Sequence, residues 1–221
     1  MFSKTRTLLL VGIVVAVLMA FWLVLAWNCP SVGIGLTSKA RNLHRLKNRT
    51  AFPQKSDFDL TVTLDKLLRP GDDSNRWATD HAGRIQGEVI AVGYARPEAT
   101  NCFSPCRRDL HILVANRVGA AKNEQVVLEV TPNLRPIFET RVINQDNQGE
   151  PGEKAEPKPE IDWSEQNLQA QLVGHWCEFE GWLYFDVGHA DQSENTAAHN
   201  PTNWRATAWE LHPVTKIIVL R

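Results

Sequence analysis

The chain has 221 residues, of which 24 are Lys or Arg, 25 are Asp or Glu, and 43% are hydrophobic. That apolar fraction excludes collagen-like and wholly disordered proteins, and the length fits one globular domain with an appendage. Charge is unevenly distributed: residues 1–50 contain seven basic and no acidic residues, so residues 51–221 contain 17 basic and 25 acidic ones, a net charge of 17 − 25 = −8. An acidic body repels phosphate, which argues against nucleic acid as a partner.

The first element is an apolar run, LLLVGIVVAVLMAFWLVLAW, at residues 8–27. As a helix, twenty residues span roughly 30 Å, the thickness of a bilayer core, so the run predicts a single-pass transmembrane helix. Residues 1–28 would then form a cytoplasmic stub and a membrane anchor. A cleaved signal peptide is the alternative, but its apolar core is normally about 7–15 residues long.

The orientation of the anchor rests on basic residues at its two ends. Five Lys or Arg follow the helix, which favours a cytoplasmic body, whereas Lys4 and Arg6 lie directly before it, as in a signal anchor. We expect an extracytoplasmic body. Residues 29–56 form a basic neck that suits anionic lipid headgroups in either orientation.

Residues 57–221 are predicted to form the folded body. A short apolar segment, LTVTLDKLL, ends at Pro70-Gly71, and Asp72 and Asp73 are assigned to that turn rather than to a calcium site. Strand-like runs rich in β-branched residues follow; they lie at residues 87–95, 109–116 and 125–132.

The second half of the body begins with a polar stretch, residues 144–161, which we interpret as an exposed insertion. A helix capped by Ser164 comes next, then strands at 176–188 and 204–221, the last bent at Pro213. Three strands, a helix and further strands are the order of an OB-like Greek-key β-barrel. The prediction is therefore a mainly β protein: a transmembrane helix followed by an OB-like barrel with one connecting helix. An open β-sandwich is the competing fold.

Several sequence blocks resemble an uncharacterised family of bacterial secreted or membrane-tethered proteins with an OB-like domain. The blocks are PGDDSNRW (70–77), DLHI (109–112), EVTP (129–132), GWLYFD followed by His189, and NPTNWRATAWELHPVTKI (200–217). The resemblance covers most of residues 60–220. It implies a fold and a location, but it supplies no catalytic residues.

Three carboxylate–histidine pairs are candidate metal ligands. They are Asp109 with His111, Asp186 with His189, and Glu210 with His212. Residues two apart on a strand share a face, so the first and third pairs each point one way. If those faces met, one divalent transition metal would be the cofactor and its bound water the nucleophile of a hydrolase. The simpler interpretation is that each acid only orients its histidine and that there is no cofactor.

The cysteines leave several alternatives open. Cys102 and Cys106, in NCFSPC, are the candidate disulfide pair; free thiols and metal ligation are the other possibilities. Cys177 alternates with apolar residues and is expected to be buried.

A polar and aromatic cluster before the last strand is the candidate ligand site. It consists of Asn200, Asn203, Trp204 and Arg205. Arg205 suits a carboxylate or phosphate, and Trp204 offers a stacking face. The alternative is a turn held by Asn side chains, with Arg205 anchored to Asp186 or Glu129.

Two functions remain. The first is a membrane-anchored OB-like module that binds a partner protein, an oligosaccharide or a small polar ligand. The alternative is a divalent metal-dependent hydrolase that uses the Asp/Glu–His pairs. No complete catalytic set is visible, so we favour the first.

Overall fold

The computed structural model describes residues 4–135 and 163–220. The exposed insertion predicted at 144–161 lies outside these residues. The described chain divides into two units, Met1–Arg45 with Pro97–Arg108, and Leu46–Arg96 with Asp109–Arg221. The end of the predicted neck therefore belongs with the body.

The first unit contains two helices, α1 (Lys4–Trp27) and α2 (Ser38–Lys47, whose last two residues belong to the second unit). Thr37 begins α2, because its hydroxyl accepts a 3.1 Å hydrogen bond from the Ala40 backbone N–H. Within residues 4–135 and 163–220, no helix is long and apolar enough to cross a membrane. The transmembrane helix predicted at residues 8–27 thus has no support from the structure.

A disulfide joins Cys29 to Cys102 in this unit, with the two Cα atoms 5.7 Å apart. The predicted Cys102–Cys106 pair is therefore wrong, and Cys106 is a free, exposed thiol. The reason is a close approach between distant segments. Gly33 (φ +52°) lies so near the Ala99 carbonyl that a Cβ on it would stand 2.3 Å from that oxygen, and the Ile34 N–H donates to the same carbonyl.

The second unit is a closed five-stranded barrel. The strands are β1 (Ala82–Tyr94), β2 (Leu110–Ala115), β3 (Val126–Val130), β4 (Trp176–Phe185) and β5 (Trp209–Val219). They pair in the order β1-β2-β3-β5-β4, with β4 returning to β1. Only β3 and β5 run parallel, with Leu128 opposite Leu211. The predicted closed barrel is confirmed.

Among the described residues, α3 (Leu64–Leu67) precedes β1, and α4 (Glu165–Leu172) precedes β4. Short 3₁₀ turns occupy Lys55–Asp57, Ala99–Asn101, Lys122–Glu124 and Val187–Gln192. The Ser164 hydroxyl accepts from the Asn167 N–H, so the predicted cap of α4 is confirmed.

Alternation along the strands fills the barrel. The inward side chains form one apolar core, which includes Ile85, Val89, Leu110, Ile112, Leu128, Cys177, Phe179, Leu183 and Leu211. Leu168 and Leu172 of α4 join that core, so the helix packs its apolar face against the barrel. The burial of Cys177 is confirmed. Every second residue of β2, β3 and β5 must therefore point outward.

Candidate functional site

The outward faces of β2, β3 and β5 carry charged residues instead of a solvated polar surface. Asp109 and His111 alternate with the core residues Leu110 and Ile112, and Glu129 lies opposite His111 in the β2–β3 pairing. Glu210 and His212 share the corresponding face of β5. We call this group, together with Asp186, His189, Arg205 and Lys47, the charge cluster.

Glu129 is the centre of the first half of the cluster. Its Oε1 lies 3.1 Å from His111 Nε2, and its Oε2 lies 3.1 Å from His212 Nδ1. The same His212 nitrogen is 3.3 Å from Glu210 Oε2, while His212 Nε2 is 4.0 Å from Asp109 Oδ1. The two histidines thus contact the same carboxylate, that of Glu129.

Arg205 is the centre of the second half. Its side chain is 1% exposed; Nη2 lies 2.5 Å from Glu210 Oε1 and Nη1 lies 3.4 Å from Asp186 Oδ2. Its Nε donates to the Thr207 carbonyl at 2.8 Å. Asp186 in turn contacts His189 Nδ1 at 2.5 Å. The guanidinium therefore connects two carboxylates across the loop between β4 and β5, residues 186–208.

Trp204 lies over the cluster. Its ring stacks at 10° on the His111 ring, with centroids 6.2 Å apart, and meets the His189 ring edge-on at 5.5 Å. The Arg205 guanidinium carbon is 5.0 Å from the Trp204 centroid. The indole N–H donates to Gln192 Oε1 at 3.0 Å. The half-buried Trp204 ring thus lies between His111 and His189.

The cluster shifts the pKa values of its own members. Burial lowers the pKa of His111, but the negative charge of Glu129 and the hydrogen bond that its carboxylate accepts from the imidazole prevail and raise that pKa to about 9. The pKa of His212 is raised in the same way, against burial, chiefly by Glu129 and Glu210. Burial would raise the pKa of Glu129, yet His212, Lys47 and His111 hold it well below its ordinary value.

The carboxylates of the second half move in opposite directions. Burial acts to raise the pKa of Asp186, but the hydrogen bond with His189 and the charges of Lys47 and Arg205 lower it to about 2. Burial and the neighbouring Glu129 raise the pKa of Glu210, and Arg205 opposes them. Glu210 is consequently the acid of the cluster that accepts a proton most readily among those with a shifted pKa.

No protein-family model matches this chain, and no curated protein matches it. The resemblance to the uncharacterised bacterial family stays a prediction.

The structure brings only some of the six predicted metal ligands together. Asp109 and His212, with Glu129, offer ligand atoms that all lie within 4.8 Å of one another. Glu210 lies behind His212 and is paired with Arg205. His111 contacts Oε1 of Glu129. The Asp186–His189 pair lies apart from these residues, where Asp186 contacts the Arg205 guanidinium.

The predicted ligand-site residues mainly hold the loop together. Arg205 is buried, and its guanidinium contacts two carboxylates and a carbonyl. This agrees with the alternative interpretation from the sequence, in which Arg205 is anchored to Asp186 and does not bind a ligand. Asn203 donates to Glu194 Oε2 and to the Ala197 carbonyl, both at 2.8 Å. Asn200 donates to the Asp191 carbonyl and accepts from the Thr202 N–H.

A further buried carboxylate, Asp73, lies outside the charge cluster and was missed because the sequence places it in a turn. It is 1% exposed; its Oδ2 accepts hydrogen bonds from Asn195 Nδ2 (2.7 Å) and Thr207 Oγ1 (2.6 Å), and its carbonyl accepts from Trp209 Nε1 (2.8 Å). Two blocks that were noted separately, 70–77 and 200–217, therefore contact each other through Asp73. The loop 186–208 is fixed at Asp73 as well as at Arg205.

Beside Asp73 lies a groove of about 410 Å³. Three segments wall it: residues 68–71, the β2–β3 connection and the loop 186–208. Its polar lining residues are Asn116, Arg117, Asn123, Glu124, Glu194, Asn195 and His199. His199 has φ +63°, a left-handed conformation that residues other than glycine seldom adopt and that occurs at binding loops.

Proposed function

We propose that the barrel is an OB-like module that binds a small, neutral, hydroxyl-rich ligand, such as a short oligosaccharide, in this groove. Its strand order with one parallel contact, and a helix between β3 and β4, fit the OB-like topology. In such barrels the β4–β5 loop is one of the elements that bind oligosaccharides and oligonucleotides. The acidic body disfavours oligonucleotides.

One observation carries the proposal: the groove has a ligand-sized volume and a rigid base. Its volume lies within the roughly 300–1,000 Å³ range of small-molecule sites. Asn195, at its base, is fixed by hydrogen bonds to Asp73 and to the Leu67 carbonyl. Because these residues at the bottom of the groove are held in place before a ligand binds, less conformational entropy is lost on binding.

The charges of the walls favour a neutral ligand. Arg117 Nη2 is already 2.5 Å from Glu124 Oε2, and Glu194 accepts from Asn203 and from the His199 N–H. Asn116 and Asn123 are exposed at the groove, and the Asn123 amide also hydrogen-bonds to Glu194, which leaves its other donor and acceptor positions for a ligand. Amides suit hydroxyl groups.

The test is a nuclear magnetic resonance titration of the ¹⁵N-labelled full-length chain with glucose and N-acetylglucosamine oligosaccharides. Shifts should concentrate at Gly71, Asn123 and His199. Asn123→Ala should weaken binding about three- to tenfold, the effect of one lost hydrogen bond. Lys55→Ala, in a different cavity, is the matched control and should bind as wild type. Shifts that map elsewhere, or no shifts at millimolar sugar, contradict the proposal.

The metal-dependent hydrolase is the alternative, favoured by the approach of Asp109, Glu129 and His212. Against it, those residues are 1%, 2% and 0% exposed, and a hydrolytic metal needs an open position for water and substrate. Metal-stimulated cleavage of p-nitrophenyl esters or phosphates that Asp109→Asn abolishes would favour this alternative over the groove.

The membrane anchor is a separate proposal that rests on sequence. Residues 8–27 contain no charged side chain, and exposed Lys39 and Arg45 of the neck suit anionic headgroups. Lys47 is buried, and Arg49 donates to the Thr79 and Leu183 carbonyls, so these two are committed to the body. Carbonate-resistant sedimentation of the full-length chain with membranes is expected; recovery in the aqueous fraction contradicts it.

A further inference from the structure

We propose that Asp109, Glu129 and His212 bind one divalent transition-metal ion of the zinc or manganese class, enclosed between the barrel wall and the loop 186–208. This inference is independent of the groove, because none of the three residues lines it. The ion would stabilise the packing of the loop on the barrel; it would not act on a substrate.

The geometry suits coordination. Ligand atoms of the three side chains lie within 4.8 Å of one another. A zinc ion at about 2.0–2.2 Å from each ligand separates tetrahedral ligands by about 3.3–3.6 Å. Side-chain shifts of about 1 Å therefore bring the three ligand atoms to the separation that a tetrahedral zinc ion requires.

A second observation is independent of the carboxylates. Among the residues the structure describes, His212 Nε2 is a buried atom with no hydrogen-bond partner. Buried polar atoms in proteins are nearly always hydrogen-bonded, and an exception calls for an explanation such as an ion. Since His212 is fully buried, its Nε2 has no access to bulk solvent.

The surroundings of His212 select the nitrogen that faces the ion. Nδ1 is held by two carboxylates: it lies 3.1 Å from Glu129 Oε2 and 3.3 Å from Glu210 Oε2, and the other oxygen of Glu210 contacts Arg205. A carboxylate that holds one ring nitrogen leaves the other as the metal ligand, which is the usual arrangement around metal-bound histidine. Nε2, 4.0 Å from Asp109 Oδ1, is that nitrogen.

The charges of the cluster admit one divalent ion when the histidines are neutral. The cluster has four buried acids (Asp109, Glu129, Asp186 and Glu210) and two buried fixed cations, Lys47 and Arg205. With neutral histidines the formal sum is −4 + 2 = −2, which one divalent ion neutralises. Lys47 lies close enough to Glu129 and His212 to act on both, and this positive charge limits the affinity. Protons on His111, His189 and His212 are the other source of positive charge, so ion and proton compete at His212.

The donor set indicates the class of ion. One imidazole nitrogen with two carboxylates suits zinc or manganese, whereas magnesium and calcium prefer oxygen ligands alone. The burial of all three ligands resembles a closed structural site rather than an open catalytic one.

The experiment uses the full-length chain, stripped with EDTA and then titrated with Zn²⁺, Mn²⁺ or Mg²⁺. We expect about one Zn²⁺ or Mn²⁺ per chain by mass spectrometry after dialysis, and a Tm that rises with metal concentration. Mg²⁺ should have no effect. Asp109→Asn should weaken metal binding at least about tenfold. Asp191→Asn, an exposed acid of the same loop, is the matched control and should bind as wild type.

Equal affinity of the Asp109→Asn and wild-type chains would mean binding at surface histidines and would overturn the proposal. Retention of no metal by the wild type would overturn it too. Should Asp109→Asn fail to fold by circular dichroism, Co²⁺ added to the wild type decides: visible bands that Zn²⁺ displaces support the site, and their absence overturns it.

Discussion

Replacing Arg205 with Met should destabilise the barrel strongly, because Arg205 is fully buried between two acids. Met preserves most of the apolar volume but removes the charge that faces Glu210 and Asp186. Loss of one partner of a buried ion pair costs about 3–5 kcal/mol, since the remaining charge is left uncompensated. At about 2–4 °C per kcal/mol for a domain of this size, Tm should fall by roughly 6–20 °C.

The assay is urea unfolding of single and double variants. Glu210→Gln should rescue part of the loss in Arg205→Met, because burial and Glu129 already raise the pKa of Glu210 and disfavour its charge. A coupling free energy of about 1–3 kcal/mol is expected. Arg84→Met is the control: Arg84 is exposed and pairs with Glu180 at 2.8 Å, a surface pair worth about 1 kcal/mol or less.

Arg205→Met within about 1 kcal/mol of wild type would refute this reasoning. Such a result would mean that the two ion pairs of Arg205 contribute little net stability.

The remaining predictions concern protons, thiols and glycines. His189→Gln should lower the free energy of unfolding mainly between about pH 4 and 6.5. Because folding raises the pKa of His189, its ion pair with Asp186 contributes fully below the unfolded pKa of about 6.5 and is lost as pH rises through the folded-state pKa. Because folding lowers the pKa of Asp186 to about 2, the contribution of that carboxylate is lost as pH falls below about 4. Unfolding curves against pH check this, and a constant difference from pH 4 to 10 would contradict it. Native, non-reduced protein should react with maleimide at Cys106 alone, and peptide mapping should recover Cys29 joined to Cys102; a Cys102–Cys106 peptide would overturn that pairing. Gly181→Ala should cost about 1–3 kcal/mol, since its Cβ would stand 2.7 Å from the Pro213 carbonyl oxygen, whereas Gly93→Ala, with nothing nearer than 4.0 Å, should be tolerated much better; equal unfolding free energies for the two variants would rule out the clash.

Much of the barrel is predictable from sequence because strand alternation is a local property. The shared faces of Asp109 with His111 and of Glu210 with His212 follow from a period of two, and the structure has them so. That the two faces meet depends on the parallel contact of β3 with β5, which no local pattern encodes.

The missed residues have different explanations. Glu129 carries a usable signal, since it is the only charged residue in the run VVLEV and a charge in such a run implies a buried partner. Lys47 carries none, because it is one of six basic residues in the neck. The Cys29–Cys102 bond joins residues 73 apart in sequence, and their proximity comes from tertiary packing alone.

The loop 186–208 is fastened to the barrel by buried carboxylates on either side, Asp73 and the pair held by Arg205. Surface loops ordinarily tolerate sequence drift and changes in length. At Asp186, Asn195, Arg205 and Thr207 a substitution would disturb charges and hydrogen bonds that water does not reach, so a saturation mutagenesis profile of these four residues should look like that of an interior strand.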